Sequence, residues 1–502
     1  MNLRRLLDSL ERYPGLRPEY RGDPDSIAIS GLCYHSPSAK EGDLFACLRG
    51  LRVDGHAYAG DAVQRGAVAL LVERFLEIDP KVVQIAVSDT RLALAVVSES
   101  FYGNPSSDLT LIGVTGTSGK TTTTSLIRHI LTRAGIPTGS IGTLGTIIGG
   151  EETAGILTTP EAPDLARAFA AMRDAGDRAA VMEVSSHALV FQRVAACDFD
   201  VGVFTNLAAE HLDFHNTLDE YAAAKSLLFS SLEPSSQPDN RPRAAINSDD
   251  PASEIMIRRS RVPVLRFGIE SGELRALDLE LSLEGSRFDL RYPDGAILEV
   301  RLALPARYNV QNAVAAAAVA HCLGLNRQGV AEALGSAQPV PGRFEVIEGE
   351  PGDPMVVVDF AHTPDELENL LGAARDLACG KLILVFGCGG DRDRTKRPVM
   401  GELSTRIADH TLISSDNPRS EDPDVIAAEV AAGASPGSSW EVVVDRGEAI
   451  DRAVAGAGPD DVVILAGKGH EPYQIFADKT IAFDEFGLAR RALARRRKGV
   501  SS

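Results

Sequence analysis

Cysteine is scarce and scattered. The six thiols (Cys33, Cys47, Cys197, Cys322, Cys379 and Cys388) form no CxxC pair. That excludes a zinc knot and a disulfide framework, and it suits a reducing cytoplasmic setting. Basic residues are outnumbered: 51 Lys and Arg stand against 70 Asp and Glu, a formal net charge of −19. General nucleic-acid binding needs a basic face and is excluded on that ground. Anionic small ligands are not excluded, because a local basic pocket overrides the mean field. No apolar run reaches membrane-spanning length; the alanine-rich stretch 313–320 is short and leads into His321. No membrane insertion is expected. The start, Met1-Asn-Leu-Arg-Arg-Leu-Leu-Asp8, becomes charged again too soon for a signal peptide. Internal repeats and low-complexity linkers are absent too.

What is there is an ordinary globular composition, 44% hydrophobic, in a chain of 502 residues. That length exceeds one core, and two to four domains are expected. One stretch organises the rest. The apolar segment Leu109-Thr-Leu-Ile-Gly-Val114 has strand length, Thr115-Gly-Thr-Ser-Gly119 is a glycine loop, and Lys120-Thr121-Thr122 opens a segment with Leu126, Ile127, Ile130 and Leu131 at helical spacing. Strand, loop and helix in that order hold a nucleotide phosphate. Gly116 and Gly119 let the backbone close in, and free N–H groups of Thr117, Ser118 and the helix start point at the phosphates. Lys120 brings a positive charge to the outer phosphates and Thr121 a hydroxyl for Mg²⁺. The strict G-x-x-x-x-G-K-[ST] spacing is not met, because Val114 stands where the first glycine belongs.

The pattern divides the chain into three domains, 1–105, 106–335 and 336–502. The first is a small α/β module with a helix-like segment at 58–65 and a strand at 67–72. The second reads as strand, helix, strand around the phosphate loop, a parallel sheet with crossovers. Strands at 179–183 and 200–205 end in polar residues, which in an open α/β sheet sit at the ligand crevice. Leu277, Leu279, Leu281 and Leu283, then Phe288, Leu290 and Tyr292, alternate with polar residues, and Pro293-Asp294-Gly295 marks a turn. That predicts an added antiparallel hairpin region. After the punctuated stretch Pro339-Val-Pro-Gly-Arg343 the βαβ rhythm restarts, with strands at 355–359, 381–386, 410–414, 440–444 and 461–465: a second, doubly wound domain.

Four groups besides the loop carry chemistry. Glu183, at a strand end, is placed to hold a metal beside ATP, or merely to cap the strand. His211, Asp213 and His215 crowd after a strand, with Lys225 ten residues on. By chemistry alone this group stays open between metal binding and polar packing, since Mg²⁺ prefers oxygen. Asp359-Phe-Ala-His362-Thr-Pro364 and Asp416-Asn417-Pro418-Arg419 both lie just past strands of the last domain. Arg419 is either a surface loop residue or a fork that grips a carboxylate.

In order and spacing these stretches, with Leu157-Thr-Thr-Pro160, Asn247-Ser-Asp-Asp250 and Gly467-Lys-Gly-His-Glu471, resemble the Mur ligase family across nearly the whole chain. The resemblance implies an α/β fold of three domains: a UDP-moiety-binding domain, a central P-loop ATPase-type parallel sheet, and a Rossmann-like domain for the incoming amino acid. It implies a monomeric cytoplasmic ligase of peptidoglycan synthesis that uses ATP and Mg²⁺ to join meso-diaminopimelate to UDP-N-acetylmuramoyl-L-alanyl-D-glutamate. ATP is assigned to residues 116–122 with Asn309, Asn312, Arg343 and Asp359. Metal falls to Thr121, Glu183, His211 and Lys225, the last as a carbamate. The catalytic set is Lys120, Glu183, His211 and Lys225. Ser36, Thr158, Thr159, Ser185 and Arg193 are implied for the muramoyl-dipeptide. Arg392, Asp416, Asn417, Pro418, Arg419, Gly467 and Glu471 are implied for diaminopimelate. Relatives that add lysine differ at the arginine. Folylpolyglutamate and cyanophycin synthetases share the ATP-ligase core and are the alternative. One departure stands out: the family usually has Asp-Ser-Arg where this chain has His35-Ser36-Pro37, and Glu210 stands where many relatives have aspartate.

Overall fold

The computed structural model describes residues 1–13, 15–51, 53–155, 157–233 and 243–500. Three sheets carry the fold. The first has five strands in the spatial order Glu19–Arg21, Val83–Ala86, Ala69–Val72, Asp43–Ala46, Gly31–Cys33, parallel except for the outermost Glu19–Arg21 pair. The 67–72 and 58–65 segments appear as strand Ala69–Val72 and helix Ala59–Gln64.

The central sheet has eleven strands. Thr110–Thr115 lies in its parallel heart, between Ala179–Glu183 and Val201–Phe204. Both neighbours run parallel to it, so all three C-terminal ends open on one edge. Glu183 sits opposite Val114, one strand away from the start of the phosphate loop. At one edge Gly145–Ile148 and Glu151–Thr153 pair antiparallel. The antiparallel strands of the other edge are Leu274–Ser282, Gly285–Arg291 and Ile297–Leu302. They do not make a separate sheet. Leu274–Ser282 pairs in parallel with Val264–Gly268, and the hairpins extend the same edge. Their buried face is Leu274, Ala276, Phe288, Leu290, Tyr292, Val300 and Leu302. Leu277, Leu279 and Leu281 are only half-buried, because the register shifts between Leu277 and Glu280. A bulge of this kind breaks the strict alternation that the sequence displays.

The alanine run belongs to helix Arg307–Cys322, buried along nearly its whole length against helix Lys120–Arg133 and the central strands. Alanine on every side lets that helix pack closely on two neighbours, which a bulkier sequence would prevent.

The third sheet has the order Glu345–Ile347, Met355–Asp359, Val462–Ala466, Leu382–Phe386, His410–Ile413, Trp440–Val442, parallel apart from its first strand. The last helix, Glu485–Val500, is pinned by an ion pair removed from water: Arg446 Nη2 lies 2.6 Å from Glu485 Oε1, at 0% and 1% side-chain exposure. Arg446 also donates to the carbonyl of Ala466, so the pair fastens this helix to the strand that leads into Gly467. Glu485→Ala leaves a buried guanidinium unpaired and is expected to cost about 3–5 kcal/mol, read as a lower urea midpoint. Arg446→Met combined with Glu485→Leu should recover most of that loss. A Glu485→Ala protein as stable as the parent would remove the pair from its anchoring role.

Candidate active site

The phosphate loop closes as its residues dictate. Gly119 is the N-cap of helix Lys120–Arg133, at φ 81°, and a Cβ there would stand 2.4 Å from Asn312 Oδ1. Only glycine takes that conformation without strain and leaves that space. Ser118 N donates to Asn206 Oδ1 (2.9 Å), which ties the loop to the neighbouring strand end. Lys120 Nζ folds back onto the loop, donating to the carbonyls of Gly116 (2.9 Å) and Thr117 (2.6 Å).

Lys225 donates to the same Gly116 carbonyl, at 2.7 Å, from a position 1% exposed. Its Nζ lies 4.2 Å from the centre of the Tyr221 ring. Burial, and next the charge of Lys120, hold the Lys225 amine well below the ordinary lysine range. Two cations on one carbonyl repel, which acts in the same direction as burial.

Glu183 is 1% exposed, and its two oxygens accept from Thr143 N (2.9 Å) and Thr143 Oγ1 (3.1 Å). Thr143 Oγ1 in turn meets Thr158 Oγ1 at 3.1 Å. Thr159 Oγ1 donates to the Glu183 carbonyl (2.9 Å) and receives Ser185 N (3.1 Å). Arg193 donates to the Thr159 carbonyl (2.9 Å) and pairs with Glu161 (2.8 Å). Thr158, Thr159, Ser185 and Arg193 therefore form one connected patch. Ser36 does not join it: it is buried in the first sheet's module, bonded to Asp61. Beside it, His35 Nδ1 meets Ser38 Oγ at 3.2 Å. Contacts from the first sheet's module to the central one include Tyr34, which donates to Asp164 (2.5 Å), and Arg91, 3.6 Å from Glu161.

His211 has φ 55° and its Nε2 lies 3.6 Å from Glu210 Oε1, with the His187 ring 5.0 Å away. His215 is buried, bonded to Ser186 Oγ (2.8 Å), and burial drives its pKa down to about 4. It is polar packing. The side chain of Asp213 lies outside the described residues. Among the described residues no three His, Cys, Asp or Glu side chains converge on a metal position. A divalent ion at the loop would rely on the Thr121 hydroxyl, the Glu183 carboxylate, one histidine and a modified Lys225. That set is rich enough in oxygen to fit Mg²⁺ once Lys225 carries a carbamate.

A cavity of about 320 Å³ opens beside the loop. One wall is Ser118, Gly119, Thr122 and Asn312; the opposite wall is Arg343, Asp359, Glu366 and Asn369 from the third sheet's module. Phe267, Leu207, Tyr308 and Leu370 also line it, an apolar surface against which a base can pack. Arg343 Nη2 donates to Thr121 Oγ1 (3.3 Å) and its guanidinium lies 4.7 Å from the Phe360 ring centre. Asp359 receives Phe344 N and Ala361 N, each at 2.7 Å; burial pushes its pKa up to about 6, against the pull of Arg343. Gly342, at φ 65°, brings this boundary segment against the 467–471 loop; a Cβ there would stand 2.3 Å from His470 N. Asn309, expected near the adenine, is not in the cavity wall. It is 1% exposed, donates to the Pro305 carbonyl and receives Asn312 Nδ2 at 3.3 Å, so it positions Asn312.

The 416–419 loop lies at a separate crevice. Arg419, at φ 52°, donates through Nη1 to the carbonyls of Gly390 (2.8 Å) and Asn417 (3.4 Å). Its Nε and Nη2 edge has no protein partner among the described residues. Lys468, at 0% side-chain exposure, gathers the loop: it lies 3.0 Å from Asp416, 2.9 Å from Asn417 Oδ1 and 3.3 Å from Glu471. Asn417 Nδ2 donates to Glu471 (2.7 Å). Gly467, at φ 111°, donates its N–H to the Asp359 carbonyl at 3.0 Å, linking this crevice to the cavity. Arg392 is exposed on the neighbouring glycine loop.

Family models cover most of the chain. One described as Mur ligase family, catalytic domain, matches residues 28–102; Mur ligase middle domain matches 114–320; Mur ligase, glutamate ligase domain, matches 342–469. A protein of Geobacillus thermodenitrificans is 45% identical over 491 residues, 97% of this chain and 99% of its own length. The chain belongs to the Mur ligase family. That relative is named UDP-N-acetylmuramoyl-L-alanyl-D-glutamate--2,6-diaminopimelate ligase, as is one of Syntrophomonas wolfei, 43% identical over 96% of this chain and 98% of its own. A solved structure of a protein with the same name superposes with a TM-score of 0.67 at 30% identity, covering 97% of this chain and 99% of that one.

Several residues of this Mur ligase escape sequence reasoning. Lys468 was visible only as part of Gly467-Lys-Gly-His-Glu471, with nothing to say that its cation is central. Arg397 is 0% exposed and bridges Glu421 (2.8 Å) and Glu429 (2.6 Å), bracing the glycine loop against the 416–419 loop. Thr143 holds Glu183 from the turn after strand Thr138–Gly142, a segment that carries no motif. Tyr308, Glu366 and Asn369 reach the cavity from helix faces whose orientation only packing sets.

Proposed function

We propose that this Mur ligase joins meso-2,6-diaminopimelate to UDP-N-acetylmuramoyl-L-alanyl-D-glutamate with cleavage of ATP. The observation that carries the proposal is the two-walled cavity. A phosphate loop forms one side, and an arginine from the third sheet's module, bonded to the loop's own threonine, forms the other. The names of relatives aligned over the full length support the same substrates.

ATP seats its phosphates on the 116–122 backbone and its base against Phe267, Tyr308 and Asn312. The D-glutamyl side-chain carboxylate, held by the Thr158, Thr159, Ser185 and Arg193 patch, attacks the terminal phosphorus. Lys120 and the loop N–H groups offset the growing charge. Mg²⁺, when bound to Thr121, Glu183, His211 and carbamylated Lys225, supplies further neutralisation of the phosphates. An acyl phosphate and ADP result. The diaminopimelate amine attacks the acyl carbon, and phosphate leaves. Arg419 grips the carboxylate at the far end of diaminopimelate, and Asn417 and Glu471 meet its ammonium. Lysine, lacking that carboxylate, leaves the Arg419 fork unpaired.

The test is ADP release with substrates omitted one at a time. Turnover is expected only when ATP, the UDP-linked dipeptide and diaminopimelate are all present, with a product heavier than the dipeptide by one diaminopimelate less water. Turnover with a folate or a polyaspartate acceptor in place of the UDP-linked dipeptide would overturn the assignment.

A further inference from the structure

The motif Asp359-Phe-Ala-His362-Thr-Pro364 holds a side chain that the reaction as written does not use. His362 Nδ1 lies 3.0 Å from the Phe360 carbonyl and 3.2 Å from Glu366 Oε2. Both neighbours only accept hydrogen bonds, so Nδ1 carries the ring's proton and donates. In the neutral ring Nε2 is then a bare lone pair. Nε2 has no protein partner among the described residues, and the side chain is 38% exposed. The backbone at His362 is fixed as well: its amide N–H donates to Glu366 Oε2 (3.1 Å), and its carbonyl receives Lys396 Nζ (2.7 Å). A histidine oriented by a carboxylate, with its second nitrogen open, is the arrangement of a general base.

Its place in the cleft is equally specific. Glu366 lines the cavity that the phosphate loop walls on the other side. Asp365, next to it, accepts the Ala209 N–H, so the helix that begins at Pro364 abuts the segment carrying Glu210 and His211. Lys120 lies close enough to act electrostatically on Glu366. His362 therefore stands on the third-module side of the joint, near enough to Glu210 to act on it electrostatically.

We propose that His362, oriented by Glu366, is the base that takes the proton from the incoming amine. This rests on the ligase reading above. The amine nitrogen bonds to the acyl carbon, the bond from that carbon to the phosphate oxygen breaks, and phosphate departs with its electron pair. The proton shed by the nitrogen moves to His362 Nε2 and from there to solvent.

Hydroxylamine separates this role from a structural one. It is largely unprotonated at neutral pH, so it captures an acyl phosphate as a hydroxamate without needing a base. His362→Gln is expected to lower diaminopimelate turnover about 10²-fold or more, the usual contribution of a positioned base. Hydroxamate formation with ATP and the UDP-linked dipeptide should stay within about twofold of the parent. A parallel fall of both activities in His362→Gln, or unchanged diaminopimelate turnover in that variant, overturns the proposal. Absence of any hydroxamate with the parent protein would instead strike at the acyl phosphate itself, and so at the ligase reading first.

Discussion

Stripping carbon dioxide from the protein at neutral pH is expected to silence it, and bicarbonate to restore it. Lys225→Ala should be silent under both conditions. The reason lies in three contacts. Lys225 is 1% exposed, donates to the Gly116 carbonyl, and shares that carbonyl with Lys120. Burial and, next, the neighbouring cation lower the pKa of the amine well below the usual lysine range, which favours the neutral form that reacts. A neutral amine adds carbon dioxide: the N–C bond forms, a proton leaves, and a carboxylate stands where the amine was. The change sets an anion beside the Lys120 cation and supplies an oxygen donor for Mg²⁺. Groups that only orient metal ligands are worth about 10–100-fold in activity, so losing a direct ligand should cost at least about 10²-fold. The sign with pH is set by the lowered pKa: as pH falls through it the amine protonates, and recovery in bicarbonate should slow. Wild-type turnover by Lys225→Ala, or indifference to carbon dioxide, would end the carbamate account.

Arg419→Ala is expected to lower kcat/KM for diaminopimelate by about 10²- to 10⁴-fold, since two charge-assisted hydrogen bonds at about 1.5–3 kcal/mol each are lost. Turnover with lysine should change far less, so the preference between the two amino acids narrows. The geometry gives the reason. Nη1 is already committed to the Gly390 and Asn417 carbonyls, which fixes the plane of the guanidinium. The Nε and Nη2 edge is left for a carboxylate to pair with both donors at once. Arg419→Lys should not rescue, because a single ammonium reproduces neither the plane nor the fork. Equal turnover of lysine and diaminopimelate by the parent protein would deny Arg419 any selective part.

How far the sequence speaks depends on the kind of signal. The phosphate loop was legible because its chemistry is local: strand, glycines, lysine and helix follow one another and fold as one unit. The parallel strands of the third sheet were legible too, as short apolar runs between punctuators. The hairpin face was legible in part: Phe288, Leu290 and Tyr292 are buried as their alternation predicts, whereas the register shift between Leu277 and Glu280 leaves Leu277, Leu279 and Leu281 half-buried and puts Leu274 and Ala276 in the core. Asn309 and Asn312 look equivalent in sequence, yet one turn of helix puts Asn312 in the cavity wall and Asn309 behind it. Lys468, Arg397 and Thr143 act by gathering partners from distant segments. Their roles exist only after the chain has folded, so spacing along the chain carries no trace of them.

The central claim is that ATP phosphorylates the carboxylate that is about to become an amide. It is tested most directly with UDP-linked dipeptide whose D-glutamyl side-chain carboxylate carries a heavy oxygen isotope. The account predicts that each turnover with diaminopimelate transfers one labelled oxygen to the inorganic phosphate released. Phosphate free of the label, with amide product formed, would contradict it.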